Sequence, residues 1–250
     1  MKKKIQVNAA IIIIGNEILS GRTQDKNTGS IALWLNSLGV KVQEVRVIPD
    51  IEEVIVKTIN EVRKKNTYVF TTGGIGPTHD DITAVSISKV FNLKYEINKE
   101  AFEILEAYYK PGEFSEGRQK MAWTPTNAKL ILNPTSGAPG FIVKNVFCLP
   151  GVPSILKSML GGLKNKISGG KPIISHTINL RTVESEIAKS LTSVQNKNKD
   201  VEIGSYPFFR AGKLGVSIVV RSENQSEIDD CNSKIMELVS QKKIEIIKDN

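Results

Sequence analysis

From residue 7 onward, apolar and polar positions alternate between two periods. Residues 7–14 form an almost uninterrupted β-branched run, the pattern of a central strand covered on both faces. A polar turn over residues 15–22 follows. Residues 27–38 then carry Ile31, Leu35 and Leu38 at helical spacing, and Gly39 ends that helix. Residues 40–48 read as a strand. Pro49-Asp50 opens a second helix with Ile51, Val54, Ile55, Ile59 and Val62 on one face. Residues 68–72 are the next strand, and residues 81–91 and 101–109 are helices. Strands at residues 141–143 and 146–149 and a helix at 155–160 continue the series. This order predicts an α/β domain, a mostly parallel sheet with helices on both faces.

The pattern changes after Gly161-Gly162 and Gly169-Gly170, which bracket a Lys-rich stretch with the composition of a linker. Strands are predicted at residues 173–180, 201–206 and 214–220, with helices at 184–195 and 225–240. That is a small α+β domain. The expected division is therefore 1–168 and 169–250.

The 250-residue length suits a main domain with a small appendage, and 40% apolar with 24% charged residues is ordinary for a soluble globular chain. No apolar run approaches the roughly 20 residues of a membrane helix. Residues 1–5 are basic and then apolar, but Gln6 and Asn8 interrupt the run and no small-residue cleavage site follows. They are read as the start of the first strand, and a cytoplasmic protein with no membrane partner is expected. Cys148 and Cys231 have no metal-ligand spacing and are expected as reduced structural thiols. With only His79 and His176 as imidazoles, any metal would take oxygen ligands, which selects Mg²⁺ or a similar ion such as Mn²⁺ or Co²⁺. The net charge of +8 comes from scattered lysines with no basic stripe interleaved with aromatics. A small anionic substrate fits this better than nucleic acid.

The most informative stretch runs from Thr71 to Thr83, Thr-Thr-Gly-Gly-Ile-Gly-Pro-Thr-His-Asp-Asp-Ile-Thr. A strand, a glycine turn and a helix start in that order aim backbone N–H groups at an anion. It is neither a P-loop nor a dinucleotide G-x-G-x-x-G. Two carboxylates follow at once, and acids beside a phosphate site call for a divalent metal between them. A packing turn with an N-capping Asp is the alternative. The turn at 15–22 also follows the carboxyl end of a strand, so the two turns are expected to share one cleft. A third turn-rich loop, residues 133–140, and a fourth, 150–154, complete the set.

At these four places the chain resembles a known family. Thr71-Thr72-Gly73-Gly74-Ile75-Gly76-Pro77 with Asp81 and Thr83 is similar to the signature of the molybdopterin-binding, MoaB/Mog-like fold of molybdenum-cofactor biosynthesis. Gly15-Asn16-Glu17-Ile18-Leu19-Ser20-Gly21 with Asp25 and Asn27 resembles the first motif of its CinA-type branch. Asn133-Pro134, Ala138-Pro139-Gly140-Phe141 and Leu149-Pro150-Gly151-Val152-Pro153 resemble the later motifs. The tail resembles the small domain that follows in CinA-type proteins. The resemblance does not extend to their amidase domain, so deamidase activity is not expected. His79 departs from the proline that many CinA-type sequences carry there.

The resemblance implies metal-dependent hydrolysis of nucleotide pyrophosphates such as ADP-ribose or FAD, releasing AMP. It leaves open molybdopterin adenylylation, as in the cofactor branch, and a non-catalytic nucleotide- or pterin-binding module. Asp81 is the implied Mg²⁺ ligand, and Asp80 either shares the ion or caps a helix. Asp25 is either a second catalytic acid or the cap of the helix at Asn27. Glu17 is a third oxygen ligand or general base. Gly73, Gly74 and Gly76 are expected to give N–H groups to phosphates, with Thr72 and Thr78 adding hydroxyls. Ser136, Gly137, Pro150 and Gly151 line the pterin or adenine-ribose end. His79 is read as solvent-exposed, and Trp123, Tyr108 and Phe147 as core. Arg118 and Lys120 either add charge to the cleft or lie on the surface. Homo-oligomers are common in the family.

Overall fold

The computed structural model describes residues 7–210 and 212–247, so the basic segment ahead of Val7 lies outside the described residues. The chain divides into two compact units, at Gly170 and Lys171.

In the first unit β1 (Asn8–Ile14) is buried from Ala9 onward because it is covered on both faces. Ala10, Ile12 and Ile14 join one apolar cluster and Ala9 and Ile11 the other. One helical turn, α1 (Asn16–Leu19), follows where the sequence predicts an irregular turn. Then come α2 (Asn27–Ser37), β2 (Lys41–Ile48), α3 (Glu52–Val62) and β3 (Tyr68–Thr72). Ile31 and Leu35 of α2 pack against Ala9 and Ile11, whereas Ile55, Ile59 and Val62 of α3 pack against Ile12 and Ile14. The expected face of α3 loses its first member, since Ile51 precedes the helix and is exposed.

Next is α4 (Thr83–Phe91), which begins two residues later than predicted. An insertion follows that the hydrophobic pattern did not predict beyond one helix: β4 (Tyr95–Ile97), α5 (Lys99–Tyr108), α6 (Glu116–Gln119) and β5 (Trp123–Pro125). β4 and β5 make a separate two-stranded sheet, and Ala101, Leu105, Ala122 and Leu130 form a small cluster beside it. The chain returns through β6 (Lys129–Ile131), β7 (Gly140–Val143), β8 (Val146–Leu149) and α7 (Pro153–Leu160).

The main sheet has the order β2-β1-β3-β8-β7-β6. β1 pairs in parallel with β2 and β3, and β3 in parallel with β8; the β8–β7 and β7–β6 pairs are antiparallel. The carboxyl ends of β1, β2, β3 and β8 therefore share one edge. The stretch expected as a linker is not one. Residues Gly161–Lys166 form a 3₁₀ turn, Leu163 and Ile167 are buried in the α2/α7 cluster, and the Gly170 N–H donates to the Gly39 carbonyl at 3.2 Å. Two apolar anchors outweigh the Lys-rich composition.

The second unit has β9 (Ile174–Arg181), α8 (Glu184–Lys197), β10 (Glu202–Arg210), β11 (Lys213–Ser222), α9 (Gln225–Gln241) and β12 (Glu245–Ile247). Its antiparallel sheet runs β10-β11-β9-β12, with β12 absent from the sequence prediction. Ile187 and Leu191 of α8 and Ile228, Cys231, Ile235 and Val239 of α9 cover Ile178, Leu180, Val216, Ile218 and Val220. Both units match the predicted class.

Candidate functional site

A cavity of about 570 Å³ opens at the shared carboxyl edge of the main sheet. It is lined by the turns after β1, β2, β3 and β8 and by the loop before β7. Glu17, Gly73, Gly74, Gly76, Thr78, Asp80, Asp81, Ser136, Pro150 and Gly151 of the expected set all reach it. Thr72, Gly137 and Asp25 do not.

The glycine turn is held against its neighbours by backbone. Gly73 has φ 102°, and a Cβ there would lie 2.1 Å from the Ile14 carbonyl oxygen, so no other residue fits. Its N–H donates to the Leu149 carbonyl at 3.1 Å and is thus consumed by the sheet rather than offered to a phosphate. Thr83 locks the far side. Its hydroxyl donates to the Gly73 carbonyl at 2.9 Å and its N–H to the Gly74 carbonyl at 2.9 Å. Among the described residues, the N–H groups of Gly74, Ile75 and Gly76 have no protein acceptor. These three are the donors the turn presents.

The acids are placed with equal definition. Asp81 precedes α4 and does not cap it, because the carboxylate turns back to accept the Thr78 N–H at 2.8 Å and the Thr78 hydroxyl. A Cβ on Gly76 would sit 2.7 Å from Asp81 Oδ2, so the missing side chain is what lets the carboxylate reach the turn. The exposed Asp80 carboxyl lies below the ordinary range, through the Thr78 hydroxyl first and its own backbone N–H second; the Thr78 proton is directed at Asp81, which leaves the backbone N–H as the cause at Asp80. Lys120 donates to the Thr78 carbonyl, fixing the same turn from outside. The Glu17 carboxylate folds back over Gly15, where a Cβ would be 2.6 Å from both oxygens.

Several expectations change. Thr72 is buried, and its hydroxyl accepts from Asn27 Nδ2 at 2.7 Å and donates to the Pro150 carbonyl at 3.2 Å, so it ties loops together instead of facing ligand. The Thr78 hydroxyl is likewise committed to Asp81. Asp25 Oδ1 accepts the N–H groups of Asn27 and Thr28 at 2.8 and 3.2 Å, the geometry of a helix cap. Gly137 lies under the Tyr108 ring, with a Cβ position 2.7 Å from it. Tyr108 and Trp123 are exposed, against expectation; Phe147 is core, 3% exposed. Arg118 stacks over Tyr109 at 4.2 Å, and His79 is exposed and outside the lining. Burial pushes the Cys148 thiol up to about 12, which removes it as a nucleophile.

Two residues are given no role in the cleft by the sequence, although Asn27 belongs to the first motif. Asp50, read there as a helix opener, lines the cavity and accepts the Asn16 N–H at 2.8 Å. An acid immediately after a strand beside β1 was the available signal. Asn27 Nδ2 donates both to Thr72 and to the Gly151 carbonyl at 2.8 Å, joining the first, second and fourth motifs.

The four acids lining the cavity, Glu17, Asp50, Asp80 and Asp81, do not close into a cage. Among the described residues, no three carboxylate, imidazole or thiol side chains are grouped so as to hold a metal ion. This donor set suits an ion completed by substrate phosphates, the usual habit of Mg²⁺.

Fold and cavity together define an α/β domain that presents backbone donors and carboxylates to one small ligand. Residues 10–168 match the family model described as a probable molybdopterin binding domain, and the chain belongs to that family. Residues 172–248 match the model of the FAD synthase middle domain. The chain is 36% identical over 197 residues to a protein of Archaeoglobus fulgidus, covering 79% of this chain and 84% of that one. It is 32% identical to a protein of Pyrobaculum calidifontis, covering 94% and 96%. The crystal structure of the protein CinA, of unknown function, from Thermoplasma acidophilum is similar at 31% identity with a TM-score of 0.60, over 64% of this chain and 96% of that one. No helix among the described residues is long and apolar enough to cross a membrane.

Proposed function

We propose that the cavity binds a nucleotide or pterin phosphate and that the protein is a divalent-metal-dependent nucleotide pyrophosphatase acting on ADP-ribose- or FAD-like substrates. The observation that carries this reading is the pairing of the unpartnered Gly74, Ile75 and Gly76 N–H groups with the Asp81 carboxylate locked beside them. Similarity to a FAD synthase domain supports a dinucleotide ligand.

The three N–H groups receive phosphate oxygens and orient the pyrophosphate. Asp81, with Asp80, would hold Mg²⁺, or Mn²⁺ or Co²⁺, together with those oxygens. Such an ion supplies charge neutralisation and a more acidic water. Glu17 accepts the proton of the attacking water. The water oxygen bonds to phosphorus, the bridging P–O bond breaks, and AMP leaves with the remaining phosphate ester as the second product. Ser136, Pro150 and Gly151 bound the nucleoside side of the cavity.

The test is AMP release from ADP-ribose, FAD and NADH with Mg²⁺, Mn²⁺ or Co²⁺, with and without chelator. Asp81→Asn keeps an acceptor for the Thr78 N–H and so preserves the turn, yet lowers metal-dependent release by about 100-fold or more. Unchanged turnover and metal dependence in that variant would sink the assignment. No AMP from any substrate would shift the reading to molybdopterin with ATP.

A further inference from the structure

A second large cavity of the first unit, about 660 Å³, lies at the opposite end of the sheet. It opens at the amino ends of β3 and β8, beside the β7–β8 turn. Tyr68 and Gly73, at the two ends of β3, are five residues apart, about 16 Å along a strand. The two cavities are therefore separate sites on the same strands.

Their linings have opposite polarity. Phe147 and Ile142, which pack with α2 and α7 on one face of the sheet, give the second cavity an apolar floor, and Lys129, Lys144 and Lys166 line it with no Asp or Glu among the lining residues. None of the three ammonium groups forms an ion pair among the described residues. Two are held in place. Lys166 Nζ donates to the Leu130 carbonyl at 3.2 Å, and Lys144 Nζ lies 5.4 Å from the centre of the Phe91 ring, on the other face of the sheet from Phe147. Lys144 also occupies a left-handed turn, φ 51°, which fixes where its side chain leaves the backbone. Like charges gathered on one concavity repel one another unless an anion lies between them, and a concave wall of low polarity strengthens their field on that anion.

We infer that this cavity is a second binding site, for a small organic phosphate whose apolar body rests on Phe147 and Ile142 while its oxyanion meets Lys129 and Lys166. The site needs neither the acids nor the glycine turn at the other end of the sheet.

The experiment is a two-dimensional amide NMR titration of the full chain with phenyl phosphate and, separately, inorganic phosphate. Phenyl phosphate is expected to bind saturably, to shift the amides of Leu130, Lys144, Asn145 and Lys166, and to bind more tightly than inorganic phosphate. The double variant Lys129→Gln, Lys166→Gln weakens it roughly tenfold with an unchanged melting temperature. If that variant does not fold, Lys129→Glu alone serves, with a larger loss expected. Shifts confined to Gly74–Gly76, or affinity unaltered by the lysine variants, would overturn the proposal. Equal affinity for the two phosphates would overturn the role given to the apolar floor.

Discussion

The two units bury similar kinds of residue beneath a sheet, yet only the first gathers four turns at one place. In the first, parallel pairing of β1, β2, β3 and β8 brings segments from Glu17 to Gly151 to a common edge. In the second, antiparallel β10, β11 and β9 deliver successive turns to alternate ends, and the ladder from Glu202↔Arg221 to Arg210↔Lys213 pairs the backbone along the whole hairpin. A phosphate-sized ligand needs unpartnered N–H groups from a turn that a neighbouring backbone holds open. Parallel topology supplies that arrangement as a by-product of its connections.

The sharpest way to break this contrast is to close the turn. Gly73→Ala places a methyl on the Ile14 carbonyl at a φ of 102°, and a loss of at least about 3 kcal/mol in denaturant-derived stability is expected. A stability within 1 kcal/mol, on the scale of ordinary surface changes, would mean the turn is soft and the donors not preorganised. Thr83→Val is gentler. It leaves the buried Gly73 carbonyl without its hydroxyl partner and should cost about 1–2 kcal/mol, with weaker binding of added AMP by calorimetry. The smallest effect is expected at acid pH, and it samples both units. Arg46, then Lys65, hold the exposed Glu61 carboxyl down at about 2, and Ser222 and Asn224 hold Glu227 below the ordinary range. Folded values below the unfolded ones mean that this stabilisation is complete above the usual carboxylate range and is lost as pH falls toward 2. A melting temperature that declines only modestly from pH 5 to 3, and less steeply in Arg46→Gln, is the expected record.

Much of this was legible from the sequence, and what was not has definite causes. β3 was read to the residue because a short apolar run ending in two glycines leaves little choice. β4, β5, β6 and β12 span three residues each, too few for a period to register, and a four-residue helix such as α1 has the same difficulty. The acids and glycines that line the cavity cluster along the chain, which is why the sequence groups them. The differences concern place as well as partner, since Thr72, Gly137 and Asp25 lie outside the lining and Asp50 lies in it. A sequence cannot show that the Gly73 N–H is spent on Leu149 or that Thr72 serves Asn27 and Pro150, and it leaves Asp25 open between catalytic acid and helix cap. Asp50 was overlooked because proline followed by an acid is also how a helix begins.

The strand order has a consequence for the chain as it is made. β8 is the last strand of the main sheet in sequence, yet it lies between β3 and β7. Until Leu149 has left the ribosome, β3 exposes an edge of Val69, Phe70, Thr71 and Thr72 that waits for its neighbour. At ordinary synthesis speeds the wait from Thr72 to Leu149 lasts about 4–15 seconds, long enough for chaperones to engage and for a slow patch of codons to matter.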